Sequence, residues 1–113
     1  MNKPLFFLLL PVFFACSETD DLIRQKLEFV LEDDLRTIAD EIRKTDASAL
    51  LDRPFYRIMS YQAFDKNLSF NRKAVVEFYY LRKIQMIQVR KYRYSPAMRQ
   101  WQRYDKVVEY NLS

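Results

Sequence analysis

The chain has 113 residues, of which half are hydrophobic and 16% aromatic, with a formal net charge of +4; this excludes a disordered tail and leaves room for one core only. It has no glycine, no histidine and one cysteine, Cys16. These absences exclude phosphate-cradling glycine loops, dinucleotide fingerprints, nucleophile elbows, Ser-His or Cys-His catalysis and a conventional zinc site.

The N-terminus carries one cation, Lys3, then an uncharged apolar run from Leu5 to Ala15, and polar and acidic residues directly after Cys16. A membrane-crossing helix needs roughly 20 apolar residues. This run is about half that length and contains Pro11, the layout of a secretory signal peptide rather than of a retained span. Its end, Phe13-Phe14-Ala15-Cys16, resembles the signal of bacterial lipoproteins. In those proteins a small residue precedes a lipid-accepting cysteine; Ala15 fits that place, while Phe13 stands where leucine is usual. The resemblance implies that residues 1–15 are cleaved, that Cys16 is lipidated, and that 98 of the 113 residues form one domain, 16–113, held on a membrane of the bacterial cell envelope (the outer membrane or a periplasmic face). The attached acyl chains would suffice for stable anchoring. With a single cysteine, an intramolecular disulfide is excluded.

Charge divides the rest sharply. Ser17 to Asp52 holds eleven acids and five bases, a net of −6, whereas Arg53 to Ser113 holds thirteen bases and four acids, a net of +9. The halves should attract each other and leave basic surface unspent. From Asp20 to Lys44 the residues Ile23, Leu27, Val30, Leu31, Leu35, Ile38 and Ile42 recur at spacings of three and four, which predicts an amphipathic helix with its stripe on a core. Asp20 and Asp21 suit its N-terminal dipole and Arg43 and Lys44 its C-terminal one, with Ser17 or Thr19 as cap. Glu32 with Arg36 and Asp40 with Lys44 are expected i,i+4 pairs. The run Glu32-Asp33-Asp34 has helical spacing, without the alternating loop ligands of a calcium site, and reads as a solvated face.

Thr45 to Asp52 reads as a break and a short helical turn, after which Arg53-Pro54 redirects the chain. Phe55 to Phe64 fits a helix or a strand and is left unassigned. Asp65-Lys66-Asn67 and Asn71 signal turns. Ala74 to Leu81, Ile84 to Tyr94 and Met98 to Tyr110 are rich in β-branched and aromatic residues and read as strands, with a turn near Arg82-Lys83 and a break at Ser95-Pro96. The fold class is therefore α+β: an N-terminal amphipathic helix packed on an antiparallel β-meander in two layers.

This order of elements, with Ile38 to Leu50 as a helix-break-helix segment, loosely resembles the cystatin-like and nuclear transport factor 2-like architectures. That resemblance implies a concave sheet used more often for binding than for catalysis.

A turn at Ser95-Pro96 or Pro96-Ala97 places Arg90, Tyr92 and Tyr94 on one face with Arg99, Trp101 and Arg103. Arginines beside aromatic rings grip acidic groups or rings, so these six are the candidate binding residues. The expectation is a binding or structural module with a basic, aromatic sheet surface. Its partners would be the membrane, through the anchor, and an acidic protein, glycan or anionic lipid headgroup. Export would keep it from nucleic acid, and no catalytic residue, cofactor or metal is assigned. The alternative is a carboxylate-dependent hydrolase or inhibitor-like domain that pairs two of Asp65, Glu77, Asp105 and Glu109.

Overall fold

The computed structural model describes residues 18–45, 53–64 and 68–111. Helix α1 (Asp20–Thr45) is followed by β1 (Phe55–Ala63), β2 (Arg72–Leu81), β3 (Gln85–Ser95) and β4 (Gln100–Asn111). The strands form one antiparallel sheet in the order β1-β2-β3-β4. The helix covers one face, giving the expected two-layer α+β domain. The segment Phe55–Ala63, ambiguous in sequence, is an edge strand with a bulge between Ile58 and Ser60. Of the predicted local features, the signal segment, Cys16, the short turn after Thr45 and Asp65-Lys66-Asn67 lie outside the described residues.

The helix starts at Thr19, whose Oγ1 accepts the Leu22 N–H at 3.2 Å, a cap that satisfies one of the free donors of the first turn. Ile23, Leu27, Leu31, Ile38 and Ile42 are buried, and Val30 and Leu35 are partly buried. They meet Ala74, Val76, Phe78 and Tyr80 of β2, Tyr92 and Tyr94 of β3 and Trp101 of β4. Each buried aliphatic side chain stabilises by about 1.5–3 kcal/mol, against about 0–1 for an exposed ion pair. The expected pairs Glu32–Arg36 and Asp40–Lys44 are replaced by others: Arg36 meets Asp33 at 4.0 Å and Arg43 meets Asp40 at 3.6 Å, both at i,i+3. Leu35 lies at the margin of the core, so Leu35→Ala should cost no more than about 2 kcal/mol in urea denaturation, the low end for a buried leucine.

With no glycine in the chain, left-handed backbone falls to other residues. Arg99 (φ 53°) closes the β3–β4 turn and Asp105 (φ 65°) sits in a bulge of β4 opposite Arg90. Aspartate tolerates this conformation better than most residues because its side chain bonds locally; the Asp105 carboxylate accepts the Lys106 N–H at 2.8 Å and lies 3.3 Å from Lys91 Nζ. At the turn, Ser95 Oγ accepts the Met98 N–H at 3.2 Å.

Three acid clusters lie at the helix–sheet interface, and in two of them, Asp20 with Arg72 and Asp34 with Arg90, the opposite charges of the two halves meet. Each is an acid from the N-terminal half bound to a tyrosine of the sheet and to a cation. Asp20 accepts from Tyr61 (2.9 Å), Arg72 (2.9 Å) and Arg24 (2.7 Å). Asp34 accepts from Tyr92 (2.5 Å) and lies 3.2 Å from the Arg90 guanidinium. Glu18 accepts from Tyr94 and Lys26, and Lys26 also donates to the Arg99 carbonyl at 3.0 Å.

Hydrogen bonding to Arg24 first, then to Arg72 and Tyr61, outweighs desolvation and holds the Asp20 carboxyl at about 2. Because the folded state depresses this value, its contribution is present above the ordinary aspartate range near pH 4 and disappears as pH falls towards 2. Asp20→Asn should therefore destabilise by about 1 kcal/mol at pH 6, after allowing for solvent screening. The difference from the parent should close on acidification, as followed by urea denaturation between pH 6 and pH 2.

Candidate functional site

The parity expected for the β3–β4 hairpin is present, but the loop is longer than expected. Pro96 to Arg99 form a four-residue turn, Ser95 pairs with Gln100, and Tyr94 and Tyr92 face Trp101 and Arg103. The face they share is the one α1 covers. Tyr92 and Tyr94 are fully buried, Trp101 is 6% exposed and Arg90 is buried. The indole Nε1 donates to the Ile23 carbonyl at 2.8 Å, and its ring lies 5.4 Å from Tyr94 and 6.0 Å from Tyr61. Burial, then the Asp34 carboxylate, pushes the Tyr92 hydroxyl well above the tyrosine range, so it remains a donor. Arg90 donates to Gln88 Oε1 at 2.7 Å. Gln88 in turn meets Glu109 and the Tyr80 hydroxyl, itself bonded to Glu109. Arg90, Tyr92, Tyr94 and Trp101 thus join helix to sheet instead of forming an open basic surface; Arg99 and Arg103 alone of the six are exposed.

The described carboxylates of the alternative reading, Glu77, Asp105 and Glu109, are held separately. Glu77, on the outer face, accepts from Tyr79 and Tyr110, each at 2.9 Å. Asp105 belongs to the β4 bulge and Glu109 to the inner face, while Asp65 lies outside the described residues. Among the described residues no group of three or more potential metal ligands occurs.

The uncovered face of the sheet carries a different cluster of cations and rings. The register aligns Lys73 on β2, Arg93 on β3 and Gln102 on β4 in one row, with Val75, Lys91 and Tyr104 in the next. The end of the β1–β2 connection is fastened to the sheet by the Phe64 N–H to the Asn71 carbonyl (2.8 Å) and the Asn71 N–H to the Tyr94 carbonyl (3.2 Å). This sets Phe64, Leu68, Ser69 and Phe70 beside Lys73, Arg93 and Tyr104 around an open groove of about 440 Å³.

Within it the Arg93 guanidinium lies 3.9 Å from the centre of the Phe70 ring and 5.2 Å from that of Tyr104. Lys73 Nζ lies 5.5 Å from Phe64 and 5.9 Å from Tyr104. Like charges directly opposite on neighbouring strands repel. Among the described residues neither cation forms an ion pair, since the acid nearest in the register, Asp105, is joined to Lys91. Arg93 Nε is buried and has no hydrogen-bond partner among the described residues. Rings hold the cations in place through cation–π contacts without neutralising them, so among the described residues the groove presents positive charge beside apolar rings.

Sequence reasoning missed this cluster because Lys73 and Phe70 are distant from Arg93 and Tyr104 along the chain. The available signal was the opposite parity of β3 and β4, Lys91 and Arg93 with Gln102 and Tyr104. It becomes informative only once the helix is known to cover the face of Trp101. Among the described residues no helix is long and apolar enough to cross a membrane. No protein-family model, curated protein or solved structure matches the chain.

Proposed function

We propose that this protein is a small exported lipoprotein of a bacterial envelope, tethered through Cys16, whose domain is a binding module for anionic partners. The observation that supports it best is the cross-strand Lys73–Arg93 pair, framed by Phe64, Phe70 and Tyr104 on the uncovered sheet face. The Lys73 and Arg93 charges, unpaired among the described residues, and the net +9 of Arg53 to Ser113 favour an acidic ligand. The short apolar run ending in Ala15-Cys16 supports the tether. The basic, aromatic surface of this reading is the outer face, with Lys73, Arg93 and Tyr104 in place of the buried Tyr92, Tyr94 and Trp101.

Two comparisons test the two halves. In a bacterial host, Cys16→Ser should move the protein from the detergent phase to the aqueous phase and remove its acyl mass. Unchanged partitioning would overturn the tether. The immobilised mature chain should retain an anionic envelope component that the Lys73→Gln/Arg93→Gln double variant loses, and equal capture by both would overturn the binding role of the groove.

A further inference from the structure

Two of the acid clusters, those of Glu18 and Asp20, fix which end of the sheet the N-terminus of α1 reaches. Glu18 is bound to Tyr94 and Lys26, and Lys26 reaches the carbonyl of Arg99 in the β3–β4 turn. Asp20 is bound to Arg72 at the start of β2. The N-terminus of α1 therefore lies at the end of the sheet that carries the β1–β2 connection and the β3–β4 turn. Cys16 precedes Glu18 by two residues, so no more than about 7 Å of chain separates the two.

That end also presents apolar side chains to solvent. Leu68 is 52% exposed, Met98 58% and Phe64 39%. Exposed cations stand beside them, Lys73 in the groove and Arg99 in the turn, with Arg93 half-buried between the rings. Apolar side chains at loop tips, cations just behind them and a lipid attachment within one short reach are the components of an interfacial membrane contact: the tips enter the headgroup boundary and the cations meet lipid phosphates. One acyl-bearing point leaves a domain free to swivel; a second contact fixes its orientation.

Resting on the lipoprotein reading above, we propose that this loop end docks on the anionic surface of the anchoring membrane. Leu68, Phe64 and Met98 enter the interface, and Lys73, Arg93 and Arg99 contact anionic phospholipid headgroups. The opposite end, with the Arg82–Ile84 turn, then points away from the bilayer.

The test uses the mature chain from residue 16 with Cys16→Ser, which bears no acyl group and retains every described core residue. Its sedimentation with phosphatidylglycerol vesicles is compared with that on phosphatidylcholine vesicles. Preferential binding to the anionic vesicles, weakening with salt, is expected. Lys73→Gln and Arg99→Gln should each lower affinity roughly fivefold at low salt, the effect of one surface-proximal charge. Leu68→Gln should lower it by a similar factor. Lys83→Gln and Ile84→Gln, at the far end, should change nothing, and circular dichroism of each variant establishes that the fold is intact.

Absence of anionic preference, or equal losses from the far-end pair, would overturn the docking surface. So would capture of an acidic envelope protein through Lys73 and Arg93 without vesicle binding, although the binding-module reading would then stand. Failure of lipidation at Cys16 is read separately, from the acyl mass.

Discussion

Asp34→Ala should destabilise the protein by about 3–5 kcal/mol, the usual consequence of removing one partner of a buried ion pair. The Arg90 side chain is only 9% exposed and the Asp34 side chain 22%, with 3.2 Å between their charged groups. Without the carboxylate, Arg90 stays under the helix with Gln88 as its remaining hydrogen-bond partner among the described residues, and the Tyr92 hydroxyl loses its acceptor. Asp33→Ala, one position away, removes an exposed carboxylate 4.0 Å from Arg36 and should cost less than about 0.5 kcal/mol. The Asp34→Ala/Arg90→Met double variant should recover much of the loss, because an apolar side chain removes the uncompensated charge. Equilibrium urea denaturation of the four proteins decides the matter; equal effects at Asp33 and Asp34 would mean that Asp34 faces solvent.

Asp34 also shows how far the sequence could be read. The helix, its cap and its five buried aliphatic residues follow from periodicity alone, since a stripe at spacings of three and four has one use in a chain of this size. Asp34 lies on that stripe, three residues after Leu31 and four before Ile38, yet its neighbours Glu32 and Asp33 make the run look like a solvated face. A carboxylate on an apolar stripe announces a buried cation across the interface. The charge asymmetry of the halves pointed to attraction but not to its pairs, because those depend on which strand residues point towards the helix. β1 was illegible for a related reason: as an edge strand with a bulge at Met59, it lacks clean alternation, and Phe55, Ile58 and Met59 remain exposed. The hairpin parity was readable, but the side covered by α1 was not, and that choice decides whether Arg90 or Arg93 is available to a ligand.

The same choice gives Trp101 its role, and Trp101→Ala should cost about 3–5 kcal/mol, the range for truncating a buried tryptophan. The indole packs against Tyr94 and Tyr61 and donates to the Ile23 carbonyl in the first turns of α1, so its loss opens a cavity where the helix N-terminus is fastened to the sheet. Trp101→Phe should retain most of the packing and lose about 1 kcal/mol for the hydrogen bond. Urea denaturation separates the two variants. A binding titration then distinguishes structure from recognition: Trp101→Phe, still folded, should bind phosphatidylglycerol vesicles as the parent does, because its ring faces α1 while Lys73 and Arg93 face away. Loss of vesicle affinity in a stably folded Trp101→Phe protein would place the recognition surface on the helix-covered side and overturn the assignment of binding to the outer face. Retained affinity with reduced stability leaves the indole to the core and the anion to the groove.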